Sequence, residues 1–218
     1  MMKSISIGVV LVAATLSLGA GRGDAPSRTY EVTFTNVTQG TVLTPPIFSL
    51  SYHQIDVFKV GEAASTGLEM LAEGGMTGGL KTELEAVGVQ DVVQTETPVL
   101  PGESITVELE GDRFSRLNLA SMLLPTNDGF VAMNGTRVWR RHGANRFYLK
   151  SYDAGTELND ELCASIPGPQ CGGEGFVEGG GEGFVAPHPG IHGEADLSRM
   201  AYGWGEPVAK VTVRLVWD

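Results

Sequence analysis

Basic side chains are scarce in this sequence. Its 218 residues include 15 Lys and Arg against 26 Asp and Glu, which gives a formal net charge of -11. Such a chain repels a phosphate backbone, and no stripe of Lys and Arg with interleaved aromatic residues offsets that repulsion. We therefore expect no nucleic acid among its partners. The acidic excess fits cation sites built from oxygen ligands, and it equally fits a surface that charge keeps soluble.

Long apolar runs are absent beyond residue 20, so we expect no transmembrane segment in the mature chain. Residues 1–20 have the pattern of a signal peptide, in which Lys3 precedes an apolar run over residues 5–18 that ends in small residues. The polar residues 21–29 that follow predict cleavage near Ala20 and a flexible N-terminal tail. No cysteine stands at this junction to carry a lipid. These features predict a secreted protein, extracellular or periplasmic.

Catalytic motifs are also missing. No serine lies in a Gly-x-Ser-x-Gly elbow, and the four histidines suggest no triad. His188 and His192 stand four residues apart with Glu194 beyond them, but Pro189 and Gly190 intervene, so a helix that brings two imidazoles onto one ion is not expected. We expect a solvated loop there, with a zinc or copper site as the alternative. We expect the protein not to be an enzyme.

Cysteine is limited to Cys163 and Cys171. An exported chain meets an oxidising compartment, where a pair so close in sequence usually forms a disulfide. The disulfide would staple a short loop, worth about 2–3 kcal/mol in the chain-entropy model, and would not hold a whole fold together. A catalytic thiol is the alternative, and it would need a nearby base.

What the sequence does contain is a series of segments in which apolar and polar residues alternate. Such strand-like segments are residues 30–35, 47–52, 104–110, 113–123, 146–149 and 210–217. In the last of them, Val213, Leu215 and Trp217 fall on one side. The pattern predicts half-buried antiparallel strands. We predict a mostly β fold, a two-layer antiparallel β-sandwich that forms one domain over residues 30–218 and holds its terminal strands close together.

Between the second and third of these segments the apolar period becomes that of a helix. The residues that show this spacing are Leu68, Leu71 and Ala72, then Leu80, Leu84 and Val87. They predict a short two-helix insertion, broken at Gly74-Gly75, with Gly88 as a cap for the second helix. We expect these helices to pack as a lid over one end of the sandwich.

Glycine dominates residues 168–193, where Glu-Gly-Phe-Val occurs twice. Glycine-rich sequence loses much entropy when it is ordered, so we expect a long flexible loop. Phe176 and Phe184 would dock transiently on an apolar surface. A phosphate-binding role is excluded, because no strand leads directly into the run, no helix follows it and no Gly-Lys-Ser/Thr sequence is present.

Two turns rich in oxygen atoms follow strand-like segments. The first covers residues 124–131 and contains Asp128, and the second covers residues 151–157 and contains Asp153 and Glu157. Loops of this kind gather at the ends of a sandwich. A hard cation takes about six to eight oxygen ligands, and these three acids with nearby carbonyls could supply several of them. Ordinary turn chemistry is the alternative explanation.

Seven segments, ordered along nearly all of the mature chain, carry a resemblance to a known family. They are residues 30–37, 45–47, 67–74, 80–86, 122–131, 152–157 and 209–215. The most specific feature is Tyr-Asp-Ala-Gly-Thr at 152–156, which follows a Pro-x-x-Asp-x-Phe-Val turn at 125–131. In these segments the chain resembles the spondin N-terminal domain family, which is known from extracellular matrix proteins and bacterial exported proteins.

The resemblance implies a β-sandwich similar to membrane-binding C2 domains, with a Ca²⁺ site in its end loops and a role in adhesion. Its metal ligands would correspond to Asp128, Asp153 and Glu157. The sequence departs from the family pattern in two places, since the family usually has aspartate at the position of Glu157 and often tryptophan at that of Gly129. Glutamate is one methylene longer, which alters the geometry of a site.

The leading hypothesis for function is therefore an exported, calcium-binding adhesion or interaction module. Its ligand would be a protein, a glycan or a component of the cell envelope, because exposed loops carry recognition in such folds. One alternative is a hydrolase that uses Asp128 and Asp153 as a carboxylate pair, which requires an open substrate cleft. The other alternative is a passive structural protein of the cell surface.

Overall fold

Two antiparallel sheets and a few short helices make up the fold in a computed structural model that describes residues 27–138, 142–177 and 179–216. In chain order the strands are β1 (Arg28–Asn36), β2 (Val42–Leu43), β3 (Ile47–Ser51), β4 (Asp91–Gln94), β5 (Ser104–Gly111), β6 (Arg116–Leu124), β7 (Gly129–Arg137), β8 (Ala144–Leu149), β9 (Ser151–Asp153), β10 (Ala186–Pro187) and β11 (Ala209–Leu215). The helices are α1 (Thr66–Gly74), α2 (Gly78–Ala86) and α3 (Arg199–Tyr202), with a 3-10 turn at Cys163–Ser165. The predicted signal peptide and Trp217 lie outside the described residues.

The first sheet joins the two ends of the domain. Its four strands lie in the order β5-β1-β11-β8. Tyr30, Val32 and Phe34 of β1 are fully buried, whereas the residues between them are only half-buried, as an alternating strand requires. β1 and β11 are antiparallel neighbours, with Val32 opposite Val213. The prediction that the terminal strands lie close together is confirmed.

The second sheet is covered on both faces. Its strands lie in the order β10-β9-β7-β6-β3-β4, and β2 also pairs with β6. Residues 117–124 of β6 are all buried. Leu119 belongs to the apolar cluster between the two sheets, and Ala120 belongs to a second cluster under the helices. The predicted β-sandwich is therefore confirmed, with helices added on its outer side.

The two predicted helices are present, but they cover a face of the second sheet. Ser65 begins α1 by accepting a hydrogen bond from the Leu68 N–H, and Gly75 ends it with a φ of 67°. The buried side of both helices packs with Phe130 of β7. The expected position over one end of the sandwich was wrong, because the outer face of this sheet is apolar and has to be buried. Within the described ranges, no helix is long and apolar enough to cross a membrane.

Backbone hydrogen bonds tie the glycine-rich segment to the rest of the domain. Gly183 donates to the carbonyl of Gly155 at 2.8 Å, and Val185, which is fully buried, donates to that of Glu62 at 2.8 Å. A Cβ on Gly181 would lie 2.4 Å from the Gly155 oxygen. The expected freely flexible loop is thus replaced by close backbone packing, which glycine permits. Phe176 contacts Gly74 and remains 45% exposed.

The predicted disulfide is confirmed. Cys163 and Cys171 are bonded, with their Cα atoms 4.6 Å apart. Both cysteines pack against a small apolar cluster of Ile166, Ile191 and Leu197, which is separate from the two clusters of the sandwich. The bond therefore supports the loops at one end of the fold and not its main core.

Candidate metal centre

Asp128 occupies the turn between β6 and β7. The turn is fixed by Thr126, whose hydroxyl donates to the carbonyl of Leu123 at 2.5 Å and accepts from the Gly129 N–H at 3.0 Å. Asp128 is 0% exposed, so its carboxylate points into the protein. A turn acid in ordinary turn chemistry faces water, and this one does not.

The second turn converges on the first. Asp153 ends β9 directly opposite Gly129, and the Ala154 N–H donates to the Asp128 carbonyl at 3.1 Å. Asp128 Oδ2 accepts from the backbone N–H groups of Thr156 at 2.7 Å and of Glu157 at 3.1 Å. The structure therefore brings all three predicted ligand residues to one end of the sandwich. The Asp128 side chain therefore holds the backbone of Glu157 in place.

All three acids are buried, with exposed fractions of 0% for Asp128, 2% for Asp153 and 1% for Glu157. Burial, together with the charge of Asp153, raises the pKa of Asp128 to about 6. Burial raises the pKa of Glu157 to about 7, and the charges of Glu73 and Asp128 add to this effect. The pKa of Asp153 is raised as well, chiefly by burial. The cluster thus resists full ionisation unless a positive charge enters it.

Two carboxylate oxygens in this cluster are buried without a partner. Asp153 uses one oxygen to accept from the Gly155 N–H at 2.7 Å and the other to accept from the Asn159 amide. Glu157 Oε1 accepts from the Val177 N–H at 2.7 Å. Asp128 Oδ1 and Glu157 Oε2, however, have no hydrogen-bond partner among the described residues. Buried acceptors of this kind call for a proton or a cation.

Glu73 is a fourth buried acid beside these three, and no local sequence pattern predicts it. It lies in the last turn of α1, is only 3% exposed and raises the pKa of Glu157 by its charge. Burial raises its own pKa too. The Thr156 side chain lies near both Glu73 and Asp128. An acid in the last turn of a helix is normally solvated. Glu73 is buried instead because α1 lies on the second sheet, and the sequence does not reveal that position.

We define the acid cluster as Glu73, Asp128, Asp153 and Glu157. Within the part of the chain that the structure describes, no three His, Cys, Asp or Glu side chains are close enough together to hold a metal ion as they stand. The donor chemistry nevertheless fits a hard cation, because every candidate ligand is an oxygen and two of them have no partner among the residues that the structure describes. A bound ion would require the side chains to draw closer together.

His188 is not the solvated loop residue that the sequence suggested. The residue is half-buried with its Nε2 shielded from water, and desolvation lowers its pKa to about 4, with the neighbouring His192 adding to the effect. Nδ1 accepts from the Gly190 N–H at 2.9 Å. The ring fills the space beside Gly129, where a Cβ would lie 2.9 Å from its Cδ2. A larger residue at position 129, such as the tryptophan of the family pattern, would therefore clash with His188.

Glu161 holds the loop that contains the alternative histidine site. Its carboxylate accepts from the backbone N–H groups of His192, Gly193 and Glu194. These three bonds fix the backbone of the segment that begins at His192.

No protein-family model matches the chain, and no curated protein matches it.

Proposed function

We propose that the chain is an exported calcium-binding interaction module whose ion sits in the acid cluster. The observation that supports this most strongly is the pair of buried carboxylate oxygens, Asp128 Oδ1 and Glu157 Oε2, that no donor satisfies within the described residues. An isolated buried carboxylate is costly, and four of them in one cluster repel one another. A divalent cation removes both penalties at once.

The chemistry of the cluster favours calcium over softer metals. All candidate ligands are carboxylate oxygens, which suit hard cations, whereas zinc and copper prefer nitrogen and sulfur. Calcium also tolerates irregular coordination, which suits side chains that come from a helix, two turns and a strand end. In this proposal Asp128 and Glu157 bind through their free oxygens, and Glu73 completes the set from α1.

A bound ion would organise the loops around it. The cluster joins the β6–β7 turn, the segment after β9, the end of α1 and the glycine-rich segment through Val177. Loops at the end of a sandwich are the usual place for recognition. The module would bind a protein, a glycan or a component of the cell envelope, in agreement with the resemblance to spondin N-terminal domains.

The hydrolase alternative receives no support from the site. Acid–base catalysis by Asp128 and Asp153 needs both carboxylates to face a substrate cleft, and here they are 0% and 2% exposed. The passive structural alternative makes no demand on the cluster, and a pull-down with and without chelator that captures no partner would favour it.

Thermal unfolding in calcium and in EDTA tests the proposal. We expect calcium, more than magnesium, to raise the melting temperature of the wild type, because a ligand that binds only the folded state stabilises it. Asp128→Asn should abolish the rise, because Asp128 binds the ion in this proposal. Asp56→Ala is the matched control, because Asp56 is exposed and lies outside the cluster, and it should keep the rise. An unchanged melting temperature in the wild type would refute the calcium site.

A further inference from the structure

An open groove with a volume of about 840 Å³ lies outside the acid cluster. Two aromatic side chains, Tyr148 and Trp204, line it, and so do the polar side chains of Gln39, His192 and Arg199. None of the residues that form its walls belongs to the acid cluster. Its size is that of a site for a small ligand or for a few units of a polymer.

Trp204 is held in a fixed orientation. Its indole Nε1–H donates to the Ser151 hydroxyl at 3.1 Å, and that hydroxyl donates to Glu206 Oε1 at 2.5 Å. The Ser151 N–H donates to the same Glu206 oxygen at 2.8 Å. The indole also packs against the half-buried ring of His188, with the ring centroids 5.1 Å apart. The groove therefore has a rigid aromatic wall before any ligand arrives.

The groove carries almost no net charge. Among the described residues that line it, Arg199 and Glu206 alone carry a formal charge, and their charges have opposite signs. Glu206 already accepts two hydrogen bonds from Ser151. Strongly anionic or cationic polymers therefore gain little here, unlike ligands that combine apolar faces with hydroxyl groups.

Sugar rings have that combination. Their C–H faces pack on flat aromatic side chains, and their hydroxyl edges form hydrogen bonds with planar polar groups. Tyr148 is 65% exposed, which is unusual for a large aromatic side chain and leaves its ring available. The exposed side chains of Gln39, His192 and Arg199 supply the polar groups.

We propose that this groove binds a neutral oligosaccharide, with Trp204 and Tyr148 against the faces of sugar rings and Arg199, His192 and Gln39 bound to hydroxyl groups. The inference rests on the proposed function in one respect, since it names the ligand class of the interaction module. It uses residues that the calcium proposal does not use, so either proposal can fail alone.

Calorimetric titration with neutral hexasaccharides tests the groove. The probes are cellohexaose, laminarihexaose, xylohexaose and chitohexaose, each added to the full mature chain in calcium and in EDTA. We expect at least one of them to bind saturably to the wild type and Tyr148→Ala to weaken that binding by about ten-fold or more. Tyr52→Ala is the matched control, because Tyr52 is 53% exposed but does not line the groove, and it should leave binding unchanged.

Nuclear magnetic resonance locates the bound sugar. The chain has three tryptophans, and the indole N–H signal that disappears in Trp204→Phe belongs to Trp204. This signal should shift when the sugar binds to the wild type. The proposal is overturned if none of the four sugars binds at millimolar concentration, if Tyr148→Ala binds as well as the wild type, or if the Trp204 signal does not move. Failure of the calcium site appears instead as an unchanged melting temperature in calcium without sugar.

Discussion

The first sheet and the acid cluster are buried to similar degrees but are stabilised in opposite ways. In the first sheet, burial removes apolar side chains such as Phe34 and Val213 from water, and charged residues such as Glu31 and Arg214 remain outside. In the acid cluster, burial removes carboxylates from water and raises their pKa. The first region needs nothing further once it is folded, whereas the acid cluster retains unpartnered carboxylate oxygens that an added proton or cation would stabilise.

We expect the largest loss of stability from a substitution in the core of the first sheet. Phe34→Ala removes a fully buried ring that contacts Phe48 edge to face, with the ring centroids 6.2 Å apart. We expect it to lower the free energy of unfolding by about 3–5 kcal/mol, in calcium and in EDTA alike. Denaturant unfolding in both buffers measures this. A loss that calcium reverses would contradict the separation of the two regions.

We expect a smaller effect from loss of the disulfide, which supports loops near the acid cluster without belonging to it. Replacing both cysteines, Cys163→Ser with Cys171→Ser, should lower the free energy of unfolding by about 2–3 kcal/mol, because the closed loop is short. Chemical denaturation of the variant and the wild type under oxidising conditions measures the difference. The rise in melting temperature with calcium should persist in the variant, and its loss would place the disulfide within the site.

The acid cluster should make the calcium-free protein less stable as pH rises. The pKa values of Asp128, about 6, and Glu157, about 7, exceed those of unfolded chains, so the calcium-free fold binds protons more tightly than the unfolded chain does. The stability that proton binding to Asp128 and Glu157 contributes is fully present at low pH. It is lost as pH rises through the folded-state pKa values of the two groups. Calcium favours the ionised cluster, so its stabilisation should grow from about pH 5 to about pH 8.

Melting curves in EDTA and in calcium across that range check this expectation. Asp128→Asn is the matched variant, because it keeps an oxygen for the Thr156 and Glu157 N–H groups and removes the buried charge. Its calcium-free stability should decline less with pH than that of the wild type. A calcium effect that is as large at low pH as at high pH would show that the ion binds elsewhere.

The smallest effect is expected from the surface of the first sheet. Arg214 and Glu31 approach to 3.9 Å, with side chains that are 62% and 38% exposed. Arg214→Ala should change the free energy of unfolding by less than about 0.5 kcal/mol, and added salt should reduce even that difference. Denaturation at two salt concentrations measures it. A larger loss would mean that this face contacts something other than water.

The two regions also differ in how far the sequence alone predicts them. The period of two in β1 and β11 gave the strands, their buried sides and their proximity, because alternation is a local signal. The positions of Asp128, Asp153 and Glu157 at strand ends pointed to two turns that the structure joins by hydrogen bonds, and the metal site itself stays a prediction. Their burial could not be predicted, because it depends on segments distant in sequence.

Glu73 and the helices show the limit most clearly. The spacing of apolar residues predicted the two helices. Whether they cover a face or an end of the sandwich depends on which sheet surface remains apolar, and the spacing does not show this. Glu73 becomes part of the cluster only through that choice. The glycine-rich segment was misjudged for a similar reason, since residues such as Gly181 serve a close backbone contact that no local pattern encodes.

Calorimetric titration of calcium into the chelator-stripped protein, repeated in buffers of different ionisation enthalpy, is the decisive test of the calcium site. We expect one binding event with release of protons near neutral pH, because the ion displaces protons from Asp128 and Glu157. Absence of binding heat in every buffer, or binding that Asp128→Asn leaves intact, would contradict it.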